Sequence, residues 1–283
     1  MSNYKNFRIV ILSVTVLLSL GLIGIVPRQS LVQAASSSQD LVPQSGSIQL
    51  SEFETYFSAW VSAPDSDSQL IDDPSVPGKL ETPKYVYLTF DDGPDPKWTP
   101  QILTTLTRHN AKATFFVIGS SARTYPDVIL QQAQAGQMLA NHSFNHVKLP
   151  PLSYSDFTRE VKNTEIALRD ALQAYPELDQ QVALCLRPPY GEVSPNVWTF
   201  AYRLLYDVSM WSLDTNDWMG ISAEKIRDRV LQNVKPGSVI LMHDGGKERS
   251  ETVRALGLVL HELTLRGWEF RPLCTSEGQQ NGR

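Results

Sequence analysis

Cysteine, histidine and surplus positive charge are all scarce in this 283-residue chain, which has two cysteines, five histidines and 25 basic against 30 acidic residues. Two cysteines cannot build a disulfide scaffold. Cys185 and Cys274 form at most one bridge, and their spacing along the chain does not set the distance in space on which pairing depends. Without a basic excess, phosphate-tracking contacts have no source, so nucleic acid is excluded as a partner. Sixteen glycines and 18 prolines are too few for a collagenous or low-complexity chain. The chain also lacks a GxSxG elbow, a GxxxxGK[ST] loop and a GxGxxG fingerprint, which removes serine-hydrolase, P-loop and dinucleotide-binding readings. What is present is a 42% hydrophobic composition, enough to fill a core in one large domain or two small ones.

The charge is unevenly placed. Lys5 and Arg8 precede an uncharged apolar run over 9–26, and Val32-Gln33-Ala34 offers small residues before Ala35. This reads as an export segment over 1–34. Its 18-residue core is long enough to anchor in a bilayer, so cleavage and attachment to the plasma membrane both stay open. Residues 35–83 hold eight acids and one lysine and are rich in Ser, Asp and Pro, the composition of a solvated linker. Inside it Leu50, Phe53, Phe57 and Trp60 recur at helical spacing and Ser51 with Glu54 forms a capping box, predicting a short amphipathic helix near 47–61. Its polar side carries no Lys or Arg, which argues against binding anionic lipid. Residues 276–283 read as a polar tail.

From residue 84 the pattern changes. Short apolar stretches at 85–90, 113–119, 137–142, 183–187, 208–214, 238–243 and 269–273 read as strands. Helical patterns lie near 99–109, 122–135, 155–174, 195–206, 222–233 and 249–265. Strands alternating with helices predict an α/β domain over 84–275, a distorted (β/α)7-8 barrel, with a doubly wound sheet as the alternative. Charged residues then fall at strand C-terminal ends: Asp91 and Asp92, His142 and His146, Arg187, Asp214 and Asp217, and His243 with Asp244. Such ends share one face of a barrel, so these distant groups are expected to converge.

Each constellation suggests chemistry. Two histidines four residues apart share a metal if the loop turns helically, and an aspartate completes a three-ligand set with an open position. Asp91 and Asp92, adjacent on extended chain, point in different directions, so one can ligate while the other handles a proton. Arg187 is a candidate cation for this acidic pair. Pro188 and Pro189 stiffen the turn that presents the Tyr190 N–H, a candidate oxyanion donor. His243 with a carboxylate from Asp217 or Asp214 suits a general acid. A structural reading of each motif alone remains open: a plain turn, a core histidine, a surface ion pair.

Thr89-Phe90-Asp91-Asp92-Gly93-Pro94, His142-Ser143-Phe144-Asn145-His146, Arg187-Pro188-Pro189-Tyr190-Gly191, Asp214-Thr215-Asn216-Asp217-Trp218 and Leu241-Met242-His243 together resemble the five ordered motifs of the polysaccharide deacetylases, carbohydrate esterase family 4. The resemblance implies a hydrolase removing N-acetyl groups from N-acetylglucosamine residues of an extracytoplasmic polysaccharide, peptidoglycan first among them. It implies Asp92, His142 and His146 as ligands of a divalent metal, zinc ahead of cobalt or nickel. Asp91 becomes the general base that deprotonates metal-activated water, and Arg187 steadies it. The Tyr190 N–H holds the oxyanion, His243 is the general acid backed by Asp217, and Trp218 and Leu241 line an acetyl pocket. Chitooligosaccharide, exopolysaccharide and acetylxylan remain alternative substrates. A non-catalytic carbohydrate-binding module is the reading from another class, and the complete set of acid, base and ligand residues counts against it.

Overall fold

A computed structural model describes residues 84–275. The export segment, the helix expected near 47–61 and the tail 276–283 lie outside the described residues. Among the described residues no helix is long and apolar enough to cross a membrane.

Among the described residues eight strands form one sheet: β1 (Tyr85–Asp91), β2 (Ala113–Val117), β3 (Met138–Asn141), β4 (Val182–Leu186), β5 (Asp207–Val208), β6 (Leu213–Asp214), β7 (Ser238–His243) and β8 (Glu269–Phe270). Their order is β5-β4-β3-β2-β1-β7-β6, with β8 paired to the start of β1. Every pairing is parallel, so all strand C-termini open on one face, as a β/α barrel requires. Helices α1 (Thr99–Arg108), α2 (Gly119–Thr124), α3 (Pro126–Gln134), α4 (Tyr154–Leu172), α5 (Pro195–Arg203), α6 (Ala223–Asn233) and α7 (Ser250–Leu265) form the connections.

Alternation along the strands sorts the side chains. Val86, Leu88 and Phe90 of β1 join Ile240 and Met242 of β7 in the main core, against Ile102, Leu106, Ile226, Val230, Leu256 and Leu260 from the helices. Burying each such side chain contributes roughly 1.5–3 kcal/mol. The other face of the strands packs a smaller cluster of Phe116, Met138, Ala140, Ala183 and Cys185, with Leu273 and Cys274 against it. Cys185 and Cys274 are joined by a disulfide, which ties the chain beyond β8 to β4.

Three elements differ from the sequence expectation. The strand expected over 208–214 is two separate pairs of residues. Ser209 N–H bonds to Leu186 on β4 and Ser212 N–H to Val239 on β7, so one segment serves the two ends of the sheet in succession. The barrel is therefore distorted where it would close. The helix expected over 122–135 is α2 and α3, broken at Tyr125 (φ −127°, ψ 57°), because Pro126 disfavours helical backbone in the residue before it. The last strand stops at Phe270: Pro272 has no N–H to donate, and Leu273 bonds instead through both N–H and C=O to the Thr114 hydroxyl.

Candidate metal centre and active site

β1 and β7 lie side by side in a register that sets Asp91 directly opposite His243. Around this pair the open face gathers Asp92, His142, His146 and Arg187. Backbone strain marks the same loops. Of the eight non-glycine residues with positive φ among the described residues, five fall here: Asp92 (74°), Ser143 (63°), His146 (54°), Tyr190 (63°) and Asn216 (58°). Such conformations cost about 1–3 kcal/mol each and persist where the surroundings over-determine them.

Asp91 ends β1 buried, and its Oδ1 accepts a 2.8 Å bond from Arg187 Nη1. Arg187 is wholly buried. Its guanidinium also donates to the Thr89 hydroxyl and the Ser209 carbonyl and lies 3.9 Å above the Phe116 ring and 5.6 Å from that of Trp211. Burial lowers the Arg187 pKa, and the Asp91 charge opposes that shift.

Asp91 Oδ2 lies 3.8 Å from His142 Nε2, and Asp92, whose left-handed backbone departs from a strand pleat, faces the same histidine. Asp92 Oδ1 stands 3.5 Å from His142 Nε2 and 3.1 Å from His146 Nε2. Ligand atoms of all three residues lie within 4.8 Å of one another. Two donors each about 2.0 Å from a tetrahedral ion stand about 3.3 Å apart, so the set fits a small divalent cation. The His142 tautomer agrees: its Nδ1 donates to the Arg187 carbonyl at 2.7 Å, leaving the Nε2 lone pair for a ligand bond. Burial opposes the Asp92 charge, yet the neighbouring His142 and His146 outweigh it and hold this carboxyl below the usual carboxylate range. The loop between the histidines is not the helical turn considered from sequence. Left-handed Ser143 and His146 bring the rings together, with centroids 5.1 Å apart.

On the opposite side, His243 Nδ1 bonds Asp217 Oδ1 at 2.8 Å. Asp217 Oδ2 accepts the His243 backbone N–H and the Thr252 hydroxyl. Burial would lower the His243 pKa, but the Asp217 bond and charge, then Asp91 and Asp92, raise it above 6.5. Asp217 moves the other way, since His243 and Thr252 outweigh its burial. Of the two carboxylates expected as its partner, Asp217 is the one that bonds His243. Asp214 instead binds the Asn216 N–H with its side chain and Arg229 Nε with its carbonyl.

Tyr190 sits at the rim, 61% exposed. Its hydroxyl donates to the His146 carbonyl at 3.2 Å and its ring centroid is 4.6 Å from that imidazole, fixing the proline turn beside the ligands. Trp218 is exposed on a short 3-10 turn over Asp217–Met219, and Leu241 is buried on β7. Asp244 lies beneath the acidic loop, where its Oδ2 takes a 2.6 Å bond from Thr99. Burial, with the charges of Asp92 and Asp91, pushes its pKa up to about 7 against the Thr99 bond. A side chain at position 93 would put its Cβ 2.1 Å from this carboxylate, which is why Gly93 stands there.

Sequence reasoning missed several supporting groups: Thr252, Trp211, Asn141 and Glu160. Glu160 had a signal, since it falls on the apolar stripe Phe157, Val161, Thr164, Leu168 of α4.

Residues 79–209 match the polysaccharide deacetylase family. A peptidoglycan-N-acetylglucosamine deacetylase of Bacillus cereus is 37% identical over 186 residues, 65% of this chain and 65% of that protein. A chitooligosaccharide deacetylase of Bradyrhizobium sp. is 36% identical over 208 residues, 69% of this chain and 92% of its own length. Among solved structures, the Bc1960 peptidoglycan N-acetylglucosamine deacetylase superposes with a TM-score of 0.62 at 36% identity, covering 68% of this chain and 87% of that one. With the parallel half-barrel and the five motif loops gathered on its open face, these likenesses establish that the chain belongs to the polysaccharide deacetylases of carbohydrate esterase family 4.

Proposed function

We propose that residues 84–275 form a metal-dependent catalytic domain that removes N-acetyl groups from N-acetylglucosamine residues of a polysaccharide outside the cytoplasm, with peptidoglycan as substrate. The observation that carries this reading is the juxtaposition of a three-ligand set, a buried carboxylate and a carboxylate-backed histidine on one barrel face. The names of the relatives support the choice of sugar polymer, and the apolar run after Lys5 and Arg8 supports export.

Asp92, His142 and His146 would hold the ion, and their nitrogen and oxygen donors suit zinc, with cobalt or nickel as alternatives. When bound, such an ion supplies Lewis acidity, polarising the acetyl carbonyl and making water more acidic. The protein's own groups do the rest. Asp91, oriented by Arg187, takes the proton that the attacking water loses. The Tyr190 N–H, fixed by the two prolines, meets charge developing on the carbonyl oxygen, and Trp218 with Leu241 accommodates the methyl group. His243, whose proton-bearing form Asp217 favours, delivers a proton from its remaining ring nitrogen to the departing amine. A free amino sugar and acetate result.

The substrate is tested by measuring acetate release side by side on peptidoglycan, chitooligosaccharides and acetylxylan. Peptidoglycan should give the highest kcat/KM; preference for acetylxylan would replace the amide reading with an ester one. The acid is tested by Asp217→Asn. Loss of the carboxylate removes what raises His243, so its acid form fades at lower pH. The alkaline limb of the rate profile should move to lower pH, and an unmoved limb would remove His243 as the acid. The linkage also runs through stability. The His243 contribution is full below 6.5 and lost as pH rises through the raised folded value. That of Asp217 is present above 3.8 and lost as pH falls through its depressed value.

A further inference from the structure

We infer that Glu160 of α4 is a positioning residue of the metal centre: it sets the loop conformation that aims His142 and His146 at one point. The inference rests on the metal-ligand reading above. Glu160 is 8% exposed and pairs with no cation among the described residues. Its hydrogen-bonding capacity goes to the histidine loop. Oε2 accepts the Phe144 N–H at 3.0 Å and the Asn145 N–H at 2.8 Å, while Oε1 accepts from Asn145 Nδ2 at 2.7 Å. Burying a carboxylate without an ion pair is unfavourable unless hydrogen bonds compensate it. Here the compensation comes from the residues between the two ligands.

The other side of the loop is held too. Gly119 and Ser120, at the start of α2, donate their N–H groups to the Ser143 and Phe144 carbonyls. Asn141 accepts the Ser143 N–H and anchors itself on the Val161 carbonyl. Phe144 packs so closely that a Cβ on Gly119 would stand 2.5 Å from its ring. Glu160 is thus the polar clamp on one side of a loop in which two non-glycine residues, Ser143 and His146, adopt left-handed backbone. Without the clamp the Phe144 and Asn145 amides lose their partner, and the α4 tie that stays, from the Val161 carbonyl through Asn141 to the Ser143 N–H, does not reach the His146 end of the loop. The Nε2 atoms would then diverge with both ligands still present.

The test is Zn²⁺ affinity of the full chain by chelator competition, read beside thermal midpoint. Glu160→Leu should raise Kd by about 10–100-fold, the range for loss of a partner behind the ligands. Glu160→Asp keeps the charge but draws the oxygens back by one methylene, and should weaken binding in the same direction even if the leucine variant does not fold. Glu160→Gln should restore affinity near the native value, since its oxygen can accept both backbone N–H groups and the Asn145 amide can rotate to meet its nitrogen. Lowered midpoints in Glu160→Asp with native Zn²⁺ affinity would make Glu160 merely structural and overturn the inference. Absence of Zn²⁺ binding by the native chain would instead defeat the metal reading itself.

Discussion

Asp91→Asn is expected to lower acetate release by about 10²–10⁴-fold, the usual worth of a positioned general base, while Zn²⁺ binding stays intact. The geometry gives the two adjacent aspartates different partners. Asp91 Oδ1 is engaged by Arg187 and its Oδ2 lies 3.8 Å from His142 Nε2, on the side of the ligands. An asparagine can keep the Arg187 bond through its carbonyl, but then presents an N–H, with no lone pair, where the proton acceptor stood. Asp92, His142 and His146 are untouched, so metal stoichiometry should not change. The buried Arg187 charge loses its counter-ion, and breaking such a pair outright costs about 3–5 kcal/mol; the retained amide bond should keep the loss at the lower end. Acetate release, zinc content and a urea midpoint read the three effects separately. A variant turning over at close to the native rate would remove Asp91 as the base.

His142→Ala should abolish both zinc retention and detectable turnover. His142 is 2% exposed and does two things at once: Nε2 faces Asp92, and Nδ1 bonds the Arg187 carbonyl. Its loss leaves two ligands where hydrolytic zinc sites use three. It also frees the backbone carbonyl of Arg187, the partner of Asp91. Native protein stripped with chelator should lose activity and regain it with Zn²⁺, whereas the variant should not respond to added metal. Full activity in the stripped native protein would show that the ion has no part in the reaction.

These outcomes depend on residues whose roles were legible to different degrees. Alternating β/α patterning placed Asp91, His142, Arg187, Asp217 and His243 at strand ends, and parallel strands share one end, so their convergence followed before any coordinates. The expectation that Asp91 and Asp92 point apart rested on a strand pleat; the backbone is left-handed at Asp92 instead, and both carboxylates stand within 4 Å of His142 Nε2. The choice of Asp217 over Asp214 was open, because two carboxylates three residues apart look alike until Thr252 and the His243 backbone bond only one of them. Glu160 showed only as a carboxylate on an apolar stripe; its partners lie 15 and 16 positions upstream on another element, so the stripe alone did not reveal what it holds.

The boundary falls between local and long-range physics. Strand and helix periods, the proline turn and the motif spacing are properties of neighbouring residues, so the chain alone determined the fold class and the inventory of reactive groups. Which nitrogen of His142 is free, the pairing of Cys185 with Cys274 and the split of 208–214 between two sheet ends each require partners distant along the chain. Tertiary packing decided those, because a hydrogen bond or a disulfide exists only once both of its ends have been brought together.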